Sequence, residues 1–543
     1  MQLPQHTTEK TASRGRWVPI LGVLAFVAYP GESRAADKAT GEAAVVPDVI
    51  PERMAPASKP PVQQIEPETR PQFSNPTSRA TFPSAVSPST EAPQRPVVPE
   101  FPPAPSVAEK PVVPNPSSTS APNPSSPPPL TWFGVTLYGV VDVGLAHLSH
   151  GAPPSNTYGP GLPYIVQNFS NRSITSVAGN GLSQSKLGLS GIESLGALDL
   201  KAVFKLETGF QPTTGRLTDG PRSLIDNNGR ANGDKVTAGD SARAGQAFQG
   251  AAFAGITWAT FGTLTFGRQN SLMADDLMKY DPQLQSQAFS PIGYSGAAGG
   301  LGATEDKILD DSLKCTLGYG PVRLAALYQF GSGGFLPGGS ESLAVGLDLG
   351  GLSVDFLWGR VHGAISAASL TAAQNTAAPG TLAATASDNT AYAFMARYAV
   401  HTIKIYAGYE HMTYANPKDP LPDGIATLGG YVLSTVNNTA FTIHKVLRYT
   451  WIGARYSIVP SLDVSGAYYQ FHQNSYNANG CSDATSGSCS GSYNDVSLVV
   501  DYKLSLRFDV YGGVNYSRAS DGMASGFLNN HNWTSMLGIR FVF

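Results

Sequence analysis

The densest run of chemically capable side chains lies in residues 269–310, where Asp275, Asp276, Asp281, Glu305 and Asp306 are set against only Lys279 and Lys307. Paired carboxylates can act as general acid and base, and larger groups of them can hold a metal. Neither use is supported here. The nine histidines are scattered through the start of the chain, its loops and its strand ends, with no pairing at metal or nucleophile–base spacing. Gly179 and Gly181 have no helix pattern after them and read as loop, not as a phosphate cradle. No metal, cofactor or catalytic activity is expected. What remains is electrostatic work: acids facing bases across a narrow gap create a transverse field that sorts ions and orients dipolar solutes. The bases with suitable parity are Lys186, Lys201, Lys205, Lys314 and Arg323, with Arg397, Lys404, Arg455 and Arg540 further along. Asp142, Glu207, Asp355, Asp463, Asp501 and Asp509 share the same side. Arg268 has the opposite parity and reaches that side only through a bulge.

Three cysteines add a second kind of chemistry. Cys481 and Cys489 lie in one polar loop with no third thiol or histidine at ligand spacing, so a disulfide is expected between them. Cys315 sits on the apolar face of its segment and reads as a small hydrophobe.

The elements that must position these residues are strands. From residue 135 onward, alternating segments of about ten residues recur, and roughly sixteen can be counted. They fall at 135–145, 185–192, 198–210, 249–258, 262–268, 311–319, 322–330 and 341–349. The second half continues at 352–361, 389–400, 403–414, 445–458, 462–473, 493–502, 507–517 and 533–543. In 198–210, Leu200, Ala202, Phe204 and Leu206 take one face, while Lys201, Lys205 and Glu207 take the other. Tight turns such as Gly320-Pro321 and Gly350-Gly351 alternate with long polar loops, of which 269–310 is the third. Loops of that length argue against a compact soluble domain. Tight turns on one end and long loops on the other suit an outer-membrane barrel.

The last segment decides the closure. Trp533, Leu537, Ile539, Phe541 and Phe543 share one face, and Arg540 lies on the other. A strand in that place needs a neighbour on each side, and the segment 135–145 is the natural one. The expected fold is therefore all-β: a transmembrane antiparallel β-barrel of about sixteen strands whose third extracellular loop folds inward.

The first part of the chain is different material. Lys10, Arg14 and Arg16 precede the apolar run 18–29, and Ser33-Arg34-Ala35 offers small residues for cleavage, so residues 1–35 read as a signal peptide. Residues 36–130 are rich in proline with almost no aromatics, which suits an extended periplasmic extension. It is either a solvated tether or an arm reaching cell-wall material. Residues 131–543 are the barrel. A net charge of −3 points to no nucleic-acid partner.

V-T-L-Y-G-V-V-D-V-G-L at 135–145, S-K-L-G-L-S-G-I-E-S-L-G at 185–196, L-K-A-V-F-K-L-E-T-G-F at 200–210, F-G-T-L-T-F-G-R-Q at 261–269 and the closing G-I-R-F-V-F resemble the Gram-negative general porins of β-proteobacteria. The resemblance implies a homotrimer in the outer membrane, in contact with its lipid and lipopolysaccharide, passing small hydrophilic solutes by passive diffusion. It also implies a closing strand, with Ile539, Phe541 and Phe543, that is read by the barrel assembly machinery. The waist is expected where Asp275, Asp276 and Asp281 oppose Lys186, Lys201 and Lys205. Selectivity is expected to be weak, leaning to cations if the loop acids dominate. The alternative is a surface adhesin or exporter barrel with the proline-rich arm as passenger or cell-wall tether. Single-channel conductance separates the two, since a plugged exporter does not conduct steadily in proportion to salt.

Overall fold

The computed structural model describes residues 129–151, 172–196, 199–217, 221–236, 247–259, 262–294, 307–331, 338–424, 427–477 and 486–543. The barrel strands are β1 (Val135–Leu148), β2 in two pieces (Ile174–Gly179 and Lys186–Ser194), β3 (Leu200–Gly209), β4 (Ala251–Trp258) and β5 (Gly262–Asn270). They continue as β6 (Ile308–Tyr319), β7 (Val322–Gln329), β8 (Ser340–Leu349), β9 (Leu352–Ala368), β10 (Leu382–Val400) and β11 (Ile403–Ala415). The circuit ends with β12 (Lys445–Val459), β13 (Leu462–Gln473), β14 (Gly491–Lys503), β15 (Phe508–Asp521) and β16 (His531–Val542). Each pairs antiparallel with the next. β16 returns to β1, from Val140 opposite Val542 to Leu148 opposite Thr534. The sixteen-strand barrel is closed, so no main-chain edge is left open.

Short turns and side-chain alternation fix this register. Gly320 and Gly350 adopt φ of 56° and 60° in the tight turns after β6 and β8, a conformation that L side chains resist and that matches hairpin twist. Phe543 exchanges both backbone hydrogen bonds with Gly139, at 2.9 and 3.1 Å. Its ring lies where a Cβ on Gly139 would have to go, so the seam needs glycine there.

The outer face is apolar and open. Leu537 is 64% exposed, and Leu145, Phe266, Leu343, Phe394, Ile452 and Val496 share its orientation. A water-soluble protein rarely shows such a continuous belt, whereas a lipid-facing barrel needs one. Tyr319, Tyr398, Tyr456 and Tyr502 stand exposed near the tight turns, and Tyr328, Tyr392 and Trp533 nearer the long loops. Two aromatic girdles of this kind suit the two membrane interfaces.

Three features depart from the sequence reading. Residues 174–179 form a strand, so β2 starts earlier than residue 185 and is interrupted at 180–185. Asp142 of β1 fills the interruption: its Oδ2 accepts the N–H groups of Leu182 and Ser183, both at 2.8 Å, and its N–H donates to Ser185 Oγ at 3.0 Å. The hairpin β9–β10 extends well past 361 and 389, through a bulge near Gly363. Its extension buries Ile365, Leu382 and Ala384 against Leu428 and Leu433 of the following loop, where Tyr431–Asn437 pairs parallel to β10.

Candidate channel lumen

The loop after β5 turns into the barrel. Ser271 caps a helix, Leu272–Tyr280, accepting the Ala274 N–H at 3.1 Å. Leu272, Met273, Leu277 and Tyr280 form its buried face, while Asp275, Asp276 and Lys279 are only half-buried. That apolar face needs an apolar partner, and the inner wall supplies one. The helix lies against β5 and β7–β11. Leu327, Ala344, Leu357, Ala391, Ala393, Met395 and Met412 from those strands join it in one buried cluster. Alanines at three of these places leave room for the helix to approach.

Polar contacts then hold the loop's path. Trp451 Nε1 donates to the Tyr280 carbonyl at 3.0 Å. Asp281 is fully buried and accepts from Tyr469 Oη at 2.5 Å and from the N–H groups of Gln283 and Gln285 at 3.0 and 2.8 Å. Burial raises its carboxyl pKa, and these donors oppose the rise. Gln283 bridges Ser465 and Ser497 on β13 and β14. Ala288 N–H and Ser286 Oγ both donate to Gly181 O at 2.9 Å, inside the β2 interruption. Phe289 is buried with Val499 and Tyr511 beside Gly513. The loop therefore follows the inner wall from β5 to the far side.

Charges pair locally along that path. Asp275 meets Lys314 at 2.6 Å, at the loop's stem. Arg323 meets Asp355 at 2.9 Å and also pairs with Asp348, and Lys279 reaches the same two acids at 3.4 and 3.6 Å. Asp276 stands beside this group; burial first, then Asp355 and Asp275, push its carboxyl pKa well up. Across the lumen, Lys186 and Lys205 share Glu207 at 3.1 and 3.3 Å, and Tyr138 Oη donates to it at 3.0 Å. Lys201 makes no ion pair among the described residues, and Glu305 and Asp306 lie outside them.

The structure thus brings Asp275 to Lys314 and the helix to Arg323. It does not bring Asp275, Asp276 or Asp281 to Lys186, Lys201 or Lys205. Lys307, on the loop's return, faces Lys186 instead; burial and that like charge hold its ammonium down to about 8. Arg268 is buried, with Nη1 2.6 Å from Asp310, where β5 bulges after Gly267. Cys315 is a free thiol. Cys489 is buried and disulfide-bonded, and Cys481 lies outside the described residues.

Sequence reasoning missed the carboxyl–tyrosine pairs inside the wall, Asp142–Tyr511 at 2.5 Å and Asp495–Tyr493 at 3.2 Å. Inward parity of those tyrosines was the available signal. Among the described residues no group of three His, Cys, Asp or Glu forms a metal site.

Comparison with known proteins agrees with this geometry. The anion-selective porin from Comamonas acidovorans superposes with a TM-score of 0.50 at 18% identity, covering 75% of this chain and 99% of that one. OmpT of Vibrio cholerae gives 0.48 at 14% identity, covering 77% and 100%. OmpF of Salmonella typhi in complex with daunomycin gives 0.44 at 15%, covering 75% and 97%. The comparison with curated proteins gives no match. The sequence profile of the Gram-negative porin family matches residues 115–522. A closed sixteen-strand barrel, greasy outside, charged inside and narrowed by its third long loop, is what that match leads one to expect, and the chain belongs to the Gram-negative porin family.

Proposed function

We propose that this outer-membrane barrel works as a homotrimeric, weakly selective channel through which ions and small hydrophilic solutes diffuse passively. One observation carries the reading: among the described residues the inner wall keeps a charged side, with Lys186 and Lys205 about one-third exposed, facing a loop that is fixed to the other side. Weak selectivity follows from pairing, since Asp275 is matched by Lys314 and Asp281 is enclosed. No catalytic role is proposed. The open apolar outer face supports contact with lipid, with lipopolysaccharide headgroups beyond it, and with two further copies of the chain.

The finer parts of the proposal are these. Residues 1–35 are a cleaved signal peptide, and 36–130 form a periplasmic extension, either a solvated tether or an arm that reaches the cell wall. Ile539, Phe541 and Phe543 are the signal read by the barrel assembly machinery. Cys481 bonds to Cys489, tying the loop between β13 and β14.

Planar-bilayer recording of the full chain tests the core of this. Steady conductance proportional to salt, inserted in steps of three, is expected. A particle that stays soluble without detergent and never conducts would overturn it.

A further inference from the structure

On the short-turn side of the loop, cations outnumber acids around Asp463. Arg397 of β10 has the inward parity of Ala393 and Met395, and Lys404 of β11 that of Tyr406. Arg455 of β12 has the parity of Trp451, and Lys503 of β14 that of Val499. Lys404 stands directly opposite Arg455, and Arg397 opposite Tyr406, one diagonal step away. Asp463 is the acid among them, 3.3 Å from Lys503 Nζ and 3.8 Å from Arg455 Nη2, with Ser457 Oγ donating to it at 2.5 Å. The next acids round the wall, Asp501 and Asp509, are held by Arg540 at 3.3 and 2.5 Å. Asp501 stands directly opposite Asp463 and Asp509 directly opposite Lys503, so with Arg540 five cations share three acids here.

Among the described residues neither Arg397 nor Lys404 makes an ion pair, and the buried Nε of Arg397 has no hydrogen-bond partner. Like charges directly opposite each other across two strands destabilise a sheet. A guanidinium N–H buried without a partner adds its own cost. The repulsion falls when a species with several anionic oxygens enters beside Lys404 and the guanidinium groups. Guanidinium forks match such oxygens two at a time, and lysines adapt around them. The loop roofs the cluster, since Arg455 Nη1 donates to the Pro282 carbonyl at 3.4 Å. Lys404 and Lys503 remain open to solvent.

We propose that Arg397, Lys404, Arg455 and Lys503 form a binding station for a small multivalent anion, a phosphate or polycarboxylate, on the periplasmic side of the loop. The idea rests on the channel reading and narrows it: one class of solute pauses where others pass. The station lies on the wall that carries the loop, apart from the Lys186–Glu207–Lys205 group.

The test is block of chloride current through the full-length protein by pyrophosphate and by citrate, each added to one chamber and then the other. The two probes separate phosphate from carboxylate chemistry. At least one is expected to block from the short-turn side, with the half-blocking concentration raised about tenfold in Arg397→Gln/Lys404→Gln. If that double variant does not insert, Lys404→Gln alone, at an open position, is expected to raise it severalfold. Lys418→Gln, on an exposed loop, is the matched control and leaves the block as it was. Absence of block by both probes in the parent, or equal block in parent and variants, would overturn the station while steady conductance keeps the channel. A parent protein that does not conduct would overturn the channel reading, and the station with it.

Discussion

The inner wall is two surfaces joined along their edges. From β1 to β6 it presents Tyr138, Lys186, Lys201, Lys205, Glu207, Thr257, Thr265 and Lys314. From β7 to β14 the same inward positions hold Leu327, Leu357, Ala391, Met395, Met412, Trp451 and Tyr469. The aromatic run Tyr449–Phe471–Tyr493 continues it, with ring centroids 4.1 and 5.4 Å apart. Both halves alternate with the same period, and both face inward. What differs is the neighbour. On the first surface Lys186 and Lys205 stay about one-third exposed, while the helix Leu272–Tyr280 covers the apolar part of the second. The interior is therefore apolar where the helix lies on it, and the polar groups beneath the loop, Arg323 with Asp355 and Tyr469 with Asp281, are paired.

That contrast can be broken at its apolar side with the largest effect. Leu277→Asp would bury a carboxylate with no partner against the β8–β11 wall. The helix is expected to leave the wall, and unitary conductance to rise severalfold. Unchanged conductance would mean that the helix does not limit the current. Trp451→Ala removes a fully buried ring and the hydrogen bond to Tyr280. Urea unfolding in detergent should show a loss of about 3–5 kcal/mol. Tyr469→Phe takes one donor from Asp281 and should cost about 1–3 kcal/mol, with noisier open-channel current as the loop loosens. A quiet trace of full stability would deny Asp281 its role as an anchor.

Changes on the polar side should also alter ion preference. Glu207→Gln removes the buried acid shared by Lys186 and Lys205 and should cost about 1–3 kcal/mol. Its reversal potential in a salt gradient should move toward anions; no movement would place that group outside the ion path. The smallest effect is that of pH on Lys279. Burial, with Arg323 in the same direction and Asp355 against it, pulls its ammonium down to about 8. Lys279 is charged below that value and neutral above it, so raising the pH from about 7 to about 9 should shift selectivity slightly toward cations. Lys279→Arg should reduce the shift to the part owed to Lys307, because a guanidinium stays charged throughout.

Much of the architecture was legible in the residues because a strand repeats every two positions and its turns carry glycine. All sixteen segments reappear, and the pairing of 135–145 with the last strand is observed. Parity also gave the side of the wall on which Lys186, Lys314, Arg323 and Arg540 lie. It could not give their height or their angle round the axis, and those decide partners. For that reason Asp275 could be assigned to the loop but not to Lys314. Asp281 read as a waist charge because it shares the acidic loop with Asp275 and Asp276; only the fold brings Tyr469 to it across 188 positions. The sign that the loop would dock lay in Leu272, Met273 and Leu277, an apolar group inside an acidic loop. The interruption in β2 left no trace in the alternation, since Asn180-Gly181-Leu182-Ser183 looks like any polar turn.

That interruption has a consequence for how the cylinder is wound. A ladder of uniform rungs can shift by two places and still keep every greasy residue outside. Asp142 engages the N–H groups of Leu182 and Ser183 in one alignment only, and Tyr511 meets it there from two lanes away on the other flank. Slippage on either flank would strand a carboxylate in the wall, so a single aspartate indexes the winding much as a key indexes a shaft.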